Sequence, residues 1–491
     1  MDLILALDAG TTGVRTVAFD KSVRIVDSSY RELNQYFPRP GEVEHDATEI
    51  AALAVATLRD VAVNARSGGH RILCVGITNQ RETTVAFDRE SAVVAHRAIV
   101  WQDRRCAAVC EEMRSRGVET LVRATTGLVL DPYFSATKMR WLLDHGALDD
   151  ATTASLATVD TWLLWHLSGG PNGGVFATEP SNASRTLLMD LADLDWSPAM
   201  TELFGVPRDL LAPILPSATD FAAVSADVLP ELAGVPIAGM LGDQQAALFG
   251  QACFAPGVVK ATYGTGAFIL ANAGPEMPGV FDGLITTVAW DLGTHGPRAY
   301  AVEGSAFVAG AAVQWLRDEM GFIASSSELE ALANTVPDSA GVLFVPAFTG
   351  LGSPFWRSDA RGSITGLSRG ARRGNIARAL VEGLAYQVRA ITDAFADAGL
   401  ALQELRADGG AAAMDLLMQM QATNSRLTVR RCESLEATAR GATTVAGLSI
   451  GLWDSLDELE GLWRSERSFE PDDPLFVDHG YAAWLRALEH A

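Results

Sequence analysis

Asp8-Ala9-Gly10-Thr11-Thr12-Gly13-Val14-Arg15 decides the fold, and Gly264-Thr265-Gly266-Ala267-Phe268 returns to its theme in the second half of the chain. Each stretch follows a short apolar run, residues 3–7 in the first case and Val258 to Tyr263 in the second. The first stretch leads directly into another run, Val14 to Phe19. Short apolar runs separated by a Gly- and Thr-rich turn read as β-hairpins. A Rossmann fingerprint or a Walker loop needs a strand followed by a helix, so neither fits here. Glycines let the backbone turn tightly and approach a ligand, and consecutive N–H groups with Thr hydroxyls can hold phosphate oxygens. Asp8, a carboxylate ending a strand, suits magnesium, which prefers oxygen ligands and keeps several waters. Arg15 could reach a phosphate with two parallel hydrogen bonds. An ordinary hairpin turn has the same composition. A third glycine turn, Asp408-Gly409-Gly410-Ala411, opens a helical pattern. Three such turns on one chain point towards a nucleotide held between two lobes.

The chain is 491 residues long, past the size at which one hydrophobic core stops growing, so two domains are expected. We place their boundary near residue 250, giving units 1–249 and 250–491. A second buried strand, Ile72 to Thr78, runs into Asn79-Gln80-Arg81-Glu82-Thr83-Thr84, and a third, Pro236 to Met240, into Gly242-Asp243-Gln244-Gln245. Helical patterns occupy about 47–66, 104–116, 136–145, 305–320, 375–398 and 411–424. Strands mixed with helices in both halves imply an α/β protein of two lobes with a cleft between them.

Net charge is −22, which argues against nucleic acid or an anionic membrane surface as partner but leaves room for a locally built phosphate site. Lysine occurs only at 21, 138 and 260, so no Walker-type ammonium is expected. The five cysteines are odd in number, and Cys106-x3-Cys110 lacks a second paired motif. Reduced thiols in a cytoplasmic protein fit better than a disulfide framework or a zinc site. The residues from Met1 to Asp8 lack the basic start of a signal peptide, and no stretch approaches a membrane span.

Arg81 and Glu82 are adjacent and supply donors and acceptors together, as a small polyhydroxyl ligand requires. Trp101, Tyr133 and Phe268 offer flat faces for its CH groups; core packing would also account for each aromatic, and a solvated pair for Arg81–Glu82. Asp243 follows an apolar strand and is the candidate catalytic base, although a helix N-cap fits the same position. The pKa of a free aspartate, near 3.9, lies roughly 12 units below that of a water-like hydroxyl, a gap of about 16 kcal/mol. Asp243 could therefore orient an alcohol and take its proton late in a loose phosphoryl-transfer transition state, but not deprotonate it beforehand.

In order along the chain, Ala6 to Thr12, Gly76 to Thr84, Ala98 to Gln102, Thr125 to Ser135, Val159 to Leu164, Asn182 to Thr186, Gly242 to Gln251, Tyr263 to Phe268, Gln314 to Met320 and Pro346 to Gly352 resemble the glycerol kinases, of the sugar-kinase branch of the actin-like ATPase superfamily. The resemblance spans nearly the whole chain. Asn79 to Thr84, Trp101-Gln102 and Gly242 to Gln245 match glycerol kinases rather than other sugar kinases. It implies two ribonuclease-H-like domains with an active-site cleft between them, and transfer of the terminal phosphoryl group of ATP, with Mg2+, to glycerol. It further implies that Arg81, Glu82, Tyr133, Asp243 and Gln244 bind glycerol, with Trp101 and Phe268 as walls. Thr11, Thr12, Gly13, Arg15, Thr265, Gly310, Gln314 and Ala411 would line the nucleotide site, and Asp8 and Asp243 would lie near the metal. Asp415, after Met414, stands about where the family commonly has an asparagine touching the adenosine. Homodimers and homotetramers are the assemblies the resemblance implies. A kinase of the same fold acting on another small polyol or sugar, or a non-catalytic relative that only binds ligand, is also compatible with these residues.

Overall fold

Asp2–Ala9 and Gly13–Phe19 pair antiparallel with Asp8 opposite Arg15, so the quoted octapeptide is the tip of a hairpin. The structure, a computed structural model, describes the chain apart from residues 147–152, 358, 434–435 and 474. Ile25–Glu32 adds to the hairpin antiparallel; Arg71–Asn79 and then Pro236–Gly242 add parallel on the other side; Ala218–Ala223 closes that edge antiparallel. The second sheet repeats the scheme. Val258–Tyr263 and Ala267–Gly274 form its hairpin, and Ala299–Ala306 and Ile285–Trp290 extend it antiparallel. Glu404–Asp408 and Thr428–Cys432 follow parallel on the far side, and Ser465–Phe469 closes the edge antiparallel. The central parallel strands of the first sheet are buried on both faces along most of their length, which is why they read as near-continuous apolar runs rather than alternating ones.

In each sheet the second parallel strand hands on to a helix, Asp243–Gly250 in the first and Ala437–Ser449 in the second. These two helices cross at glycines. A Cβ on Gly441 would stand 1.8 Å from the carbonyl oxygen of Ala246, and one on Gly250 would stand 2.0 Å from that of Ala437. Ala437–Ser449 also lies on the first sheet, where Gly76 and Gly239 admit the backbone at Ala442 and Ala446. One core cluster consequently joins Ile4 and Ala6 of the first sheet to Leu248, Phe249, Leu270, Ala442 and Val445.

Two sequence expectations need correction. Residues 305 and 306 are not helical: they end the fully buried strand Ala299–Ala306, and the helix begins at Gly310. The small residues Gly304-Ser305-Ala306 carry no periodicity of their own, and pairing with Ala267–Gly274 decides their state. Asp243 is not an N-cap. Gly242 holds that position, and Asp243 opens the helix with its Oδ1 accepting from the Gln244 backbone N–H at 2.7 Å.

Candidate active site

Where Arg71–Asn79 ends, the chain turns into a pocket through a left-handed residue, Glu82, with φ of 60°. That conformation is strained for a residue with a Cβ. It is held because the Glu82 carbonyl accepts from Ser135 Oγ at 3.0 Å and Thr84 Oγ1 at 3.2 Å. Arg81 is 2% exposed. Its Nη1 donates to Glu303 Oε2 at 2.7 Å and to Gln245 Oε1 at 3.2 Å, its Nη2 to Glu303 Oε1 at 3.2 Å, and its Nε lies 3.2 Å from Asp243 Oδ1. A second buried guanidinium, Arg185, donates from Nε to Glu82 Oε1 at 2.6 Å and from Nη2 to Glu303 Oε1 at 3.0 Å. Buried charges persist only when paired in this way. Burial pushes the Glu303 carboxyl up, but Arg185 and Arg81 override it and hold its pKa at about 2. At Glu82 burial wins, and the pKa is raised despite Arg81 and Arg185.

The aromatic residues meet over this network. Trp101 packs edge-on against Tyr133, ring centroids 5.6 Å apart, and against Phe268 at 6.4 Å. The Tyr133 hydroxyl lies 3.5 Å from Arg81 Nη2. Asp243 keeps 29% of its side chain accessible, the only carboxylate among Glu82, Asp243 and Glu303 with a face open to a ligand. Burial raises its pKa, opposed by Arg81 and the Gln244 N–H. Gln244 Oε1 accepts from Lys260 Nζ. All seven residues expected at an acceptor pocket are thus brought together.

The residues expected at a nucleotide gather beside them. Trp101 Nε1 donates to Thr11 Oγ1 at 2.9 Å, tying an acceptor wall to the first glycine turn, where Thr12 is exposed and Gly13 lies under the Tyr30 ring. Arg15 pairs with Glu436 at 2.5 Å. The second turn is pinned to a helix start: Gly264 O accepts from Gly310 N at 2.9 Å, and Thr265 O from Ala309 N at 2.8 Å and Ala311 N at 3.1 Å. Gln314 follows one turn along the Gly310–Asp318 helix. The third turn, carrying Ala411, sits on the end of Val258–Tyr263, since a Cβ on Gly409 would meet Tyr263 O at 2.5 Å. Asp415 is otherwise engaged: its carboxylate binds Arg431 Nη1 at 2.8 Å and also Arg467. Burial, with the charges of Asp243 and Glu436, raises the pKa of Asp8 to about 7, so Asp8 and Asp243 share one field. Among the described residues no three of His, Cys, Asp or Glu gather as a metal cage. Two oxygen donors beside a phosphate-sized turn fit magnesium, which is normally held by one or two carboxylates plus phosphates and water.

Sequence reading missed Glu303, Arg185, Gln245 and Lys260. Glu303 left a signal, a lone carboxylate in an otherwise uncharged, wholly buried strand, and so did Lys260 between apolar residues on both sides.

The repeated sheets, each with a glycine turn at its hairpin tip, define an α/β enzyme of the two-domain actin-like ATPase class. Residues 3–250 match the N-terminal domain, and residues 259–450 the C-terminal domain, of the FGGY family of carbohydrate kinases. The chain belongs to that family. It is 51% identical to the glycerol kinase of Leptothrix cholodnii, over 100% of this chain and 99% of that one, and 49% identical to the glycerol kinase of Acidovorax ebreus with the same coverage. The crystal structure of Plasmodium falciparum glycerol kinase with ADP superposes with a TM-score of 0.93 at 34% identity, over 100% of this chain and 98% of that chain. Gluconate kinase from Lactobacillus acidophilus shares the fold, with a TM-score of 0.89 at 18% identity.

Proposed function

We propose that this protein transfers the γ-phosphoryl group of ATP to a hydroxyl of glycerol, giving glycerol 3-phosphate. The observation that carries the reading is the Asp243 carboxylate, open to a ligand and 3.2 Å from the Arg81 guanidinium, in a pocket walled by Trp101, Tyr133 and Phe268. Its paired donors and acceptors suit a triol. Arg81, Glu82, Tyr133 and Gln244 hold its hydroxyls, and Asp243 accepts a hydrogen bond from the attacking one. The proton passes to Asp243 as the oxygen–phosphorus bond forms, because a carboxylate, even one whose pKa burial raises, is far too weak a base to deprotonate an alcohol beforehand. Thr11, Thr12 and Gly13 on one turn and Thr265 with Gly310 on the other hold the phosphates; Gln314 and Ala411 line the rest of the nucleotide site. Arg15 exchanges Glu436 for a phosphate, and Asp415, bound by two arginines, stands at the edge of the adenosine site. Asp8 and Asp243 would hold Mg2+, which when bound neutralises charge on the transferred group. Stacking the aromatic walls around the triol excludes water that would otherwise accept the phosphoryl group.

The division near residue 250, the cytoplasmic location and a homodimeric or homotetrameric state belong to the same proposal. The family-model boundaries support the first, and five buried cysteines that form no disulfide the second. The resemblance to glycerol kinases supports the third. No helix among the described residues is long and apolar enough to cross a membrane.

A coupled ADP-release assay with ATP, Mg2+ and a panel of small polyols and sugars tests the activity. Glycerol should give the highest kcat/KM. A tenfold preference for another acceptor, or no acceptor-dependent turnover at all, would refute the assignment.

A further inference from the structure

Of the 38 lysines and arginines in this chain only three are lysine, and two of those three are completely buried at the acceptor pocket. Lys21 pairs with Asp2 on the surface. Lys138 Nζ donates to the carbonyls of Pro132 at 3.1 Å and Tyr133 at 2.6 Å, fixing one wall of the pocket. Lys260, in the middle of Val258–Tyr263, donates to Gln244 Oε1 and lies 3.4 Å from the carbonyl of Phe268, at the opposite wall. An ammonium group has no lone pair, so this contact admits only the oxygen of the Gln244 carboxamide. The amide nitrogen is thereby turned away from Lys260, and among the described residues it has no protein partner. It is a donor kept free for a ligand oxygen. Burial lowers the pKa of Lys260 to about 8, with Asp408 and Asp243 opposing, so it is charged at neutral pH. A guanidinium, planar and larger, could not offer the same single point contact.

We infer that Lys260 is a positioning residue of the acceptor pocket: it locks the Gln244 carboxamide so that Nε2 donates to an acceptor hydroxyl. The inference rests on the acceptor-site reading given above.

The test uses the full chain with ATP and Mg2+, measuring KM for glycerol and for ATP separately. In Lys260→Met the glycerol KM should rise about tenfold, the loss expected for one misdirected hydrogen bond, while the ATP KM stays within about twofold. Gln244→Ala should show the same split, and the double variant should be no worse than Gln244→Ala alone, because Lys260 acts through Gln244. Multiplying losses in the double variant, or equal rises in both KM values, would overturn the inference. Gln244→Glu keeps a partner for Lys260 while removing the amide donor, so it decides the matter even if Lys260→Met does not fold. Its glycerol KM should rise at least as much, and an unchanged value would overturn the inference. Absence of turnover in the unaltered chain would instead sink the site reading, and this inference with it.

Discussion

Asp243 does two jobs with one side chain: it opens a helix through its bond to the Gln244 N–H and faces the acceptor pocket. Asn can keep the first and not the second. Asp243→Asn should therefore fold with nearly unchanged stability while kcat falls by about 10²–10⁴, the usual contribution of a general base; near-normal turnover would remove Asp243 from the chemistry. A second residue predicts acid sensitivity. His45 is fully buried, and its Nδ1 sits 3.2 Å from the Gln80 amide nitrogen, which can only donate; the ring is thus neutral, with its proton on Nε2. Burial lowers its pKa from 6.5 to about 4. Because the folded value lies below the unfolded one, this stabilisation is fully present above pH ~6.5 and is lost as pH falls towards about 4, a change of about 3 kcal/mol. Denaturation of His45→Gln should show a visibly flatter stability profile over that window than the unaltered chain, and parallel profiles would show that another group is responsible. The contrast with Glu303 shows what sequence reading can reach. Arg81, Glu82 and Asp243 lie where buried strands end, a local signal. Glu303 is 222 residues from Arg81, and no local pattern announces such a pairing.

At the scale of elements, both hairpins were legible because turn chemistry and apolar runs are local, and so were the parallel strands of the first sheet, because burial on both faces makes them continuous; Glu404–Asp408 and Thr428–Cys432, with charged residues in each, carried no such run. The crossing of Asp243–Gly250 with Ala437–Ser449 was not, since helix-on-helix approach depends on which glycines face each other across nearly 200 residues. Gly250 and Gly441 look like ordinary small residues in helical segments, yet each faces the other helix's backbone. Gly441→Ala should force the helices apart and lower stability by about 1–3 kcal/mol, as overpacking does, with turnover disturbed because Asp243 begins one of those helices. Gly461 supplies the control. It lies in the helix Leu456–Leu462 with open space around a would-be Cβ, so Gly461→Ala should stabilise by about 0.5–1 kcal/mol. Chemical denaturation of the two variants checks both signs, and a Gly441→Ala protein as stable as the parent would mean that the crossing yields more easily than its geometry implies.

The whole molecule carries a net charge of −22, while its two proposed substrates differ in charge: the nucleotide is an anion and the triol is neutral. Local cations do little to offset the long-range field. Arg15 is paired with Glu436, and Arg81 and Arg185 are matched by Glu82 and Glu303. An approaching nucleotide therefore meets net repulsion until it is within contact range of the glycine turns, where backbone N–H groups take over. Salt shortens the reach of that repulsion from roughly 30 Å at 0.01 M to about 8 Å at 0.15 M and acts far less on contacts at hydrogen-bond distance. Raising the salt concentration over that range at constant free Mg2+ should consequently increase kcat/KM for ATP a few-fold and leave kcat/KM for glycerol, at saturating ATP, unchanged. The two trends diverge only if the effect is electrostatic steering, because a general change in stability or cleft geometry would move both together. A kcat/KM for ATP that falls steadily with salt would show that the local cations, not the net charge, govern the encounter.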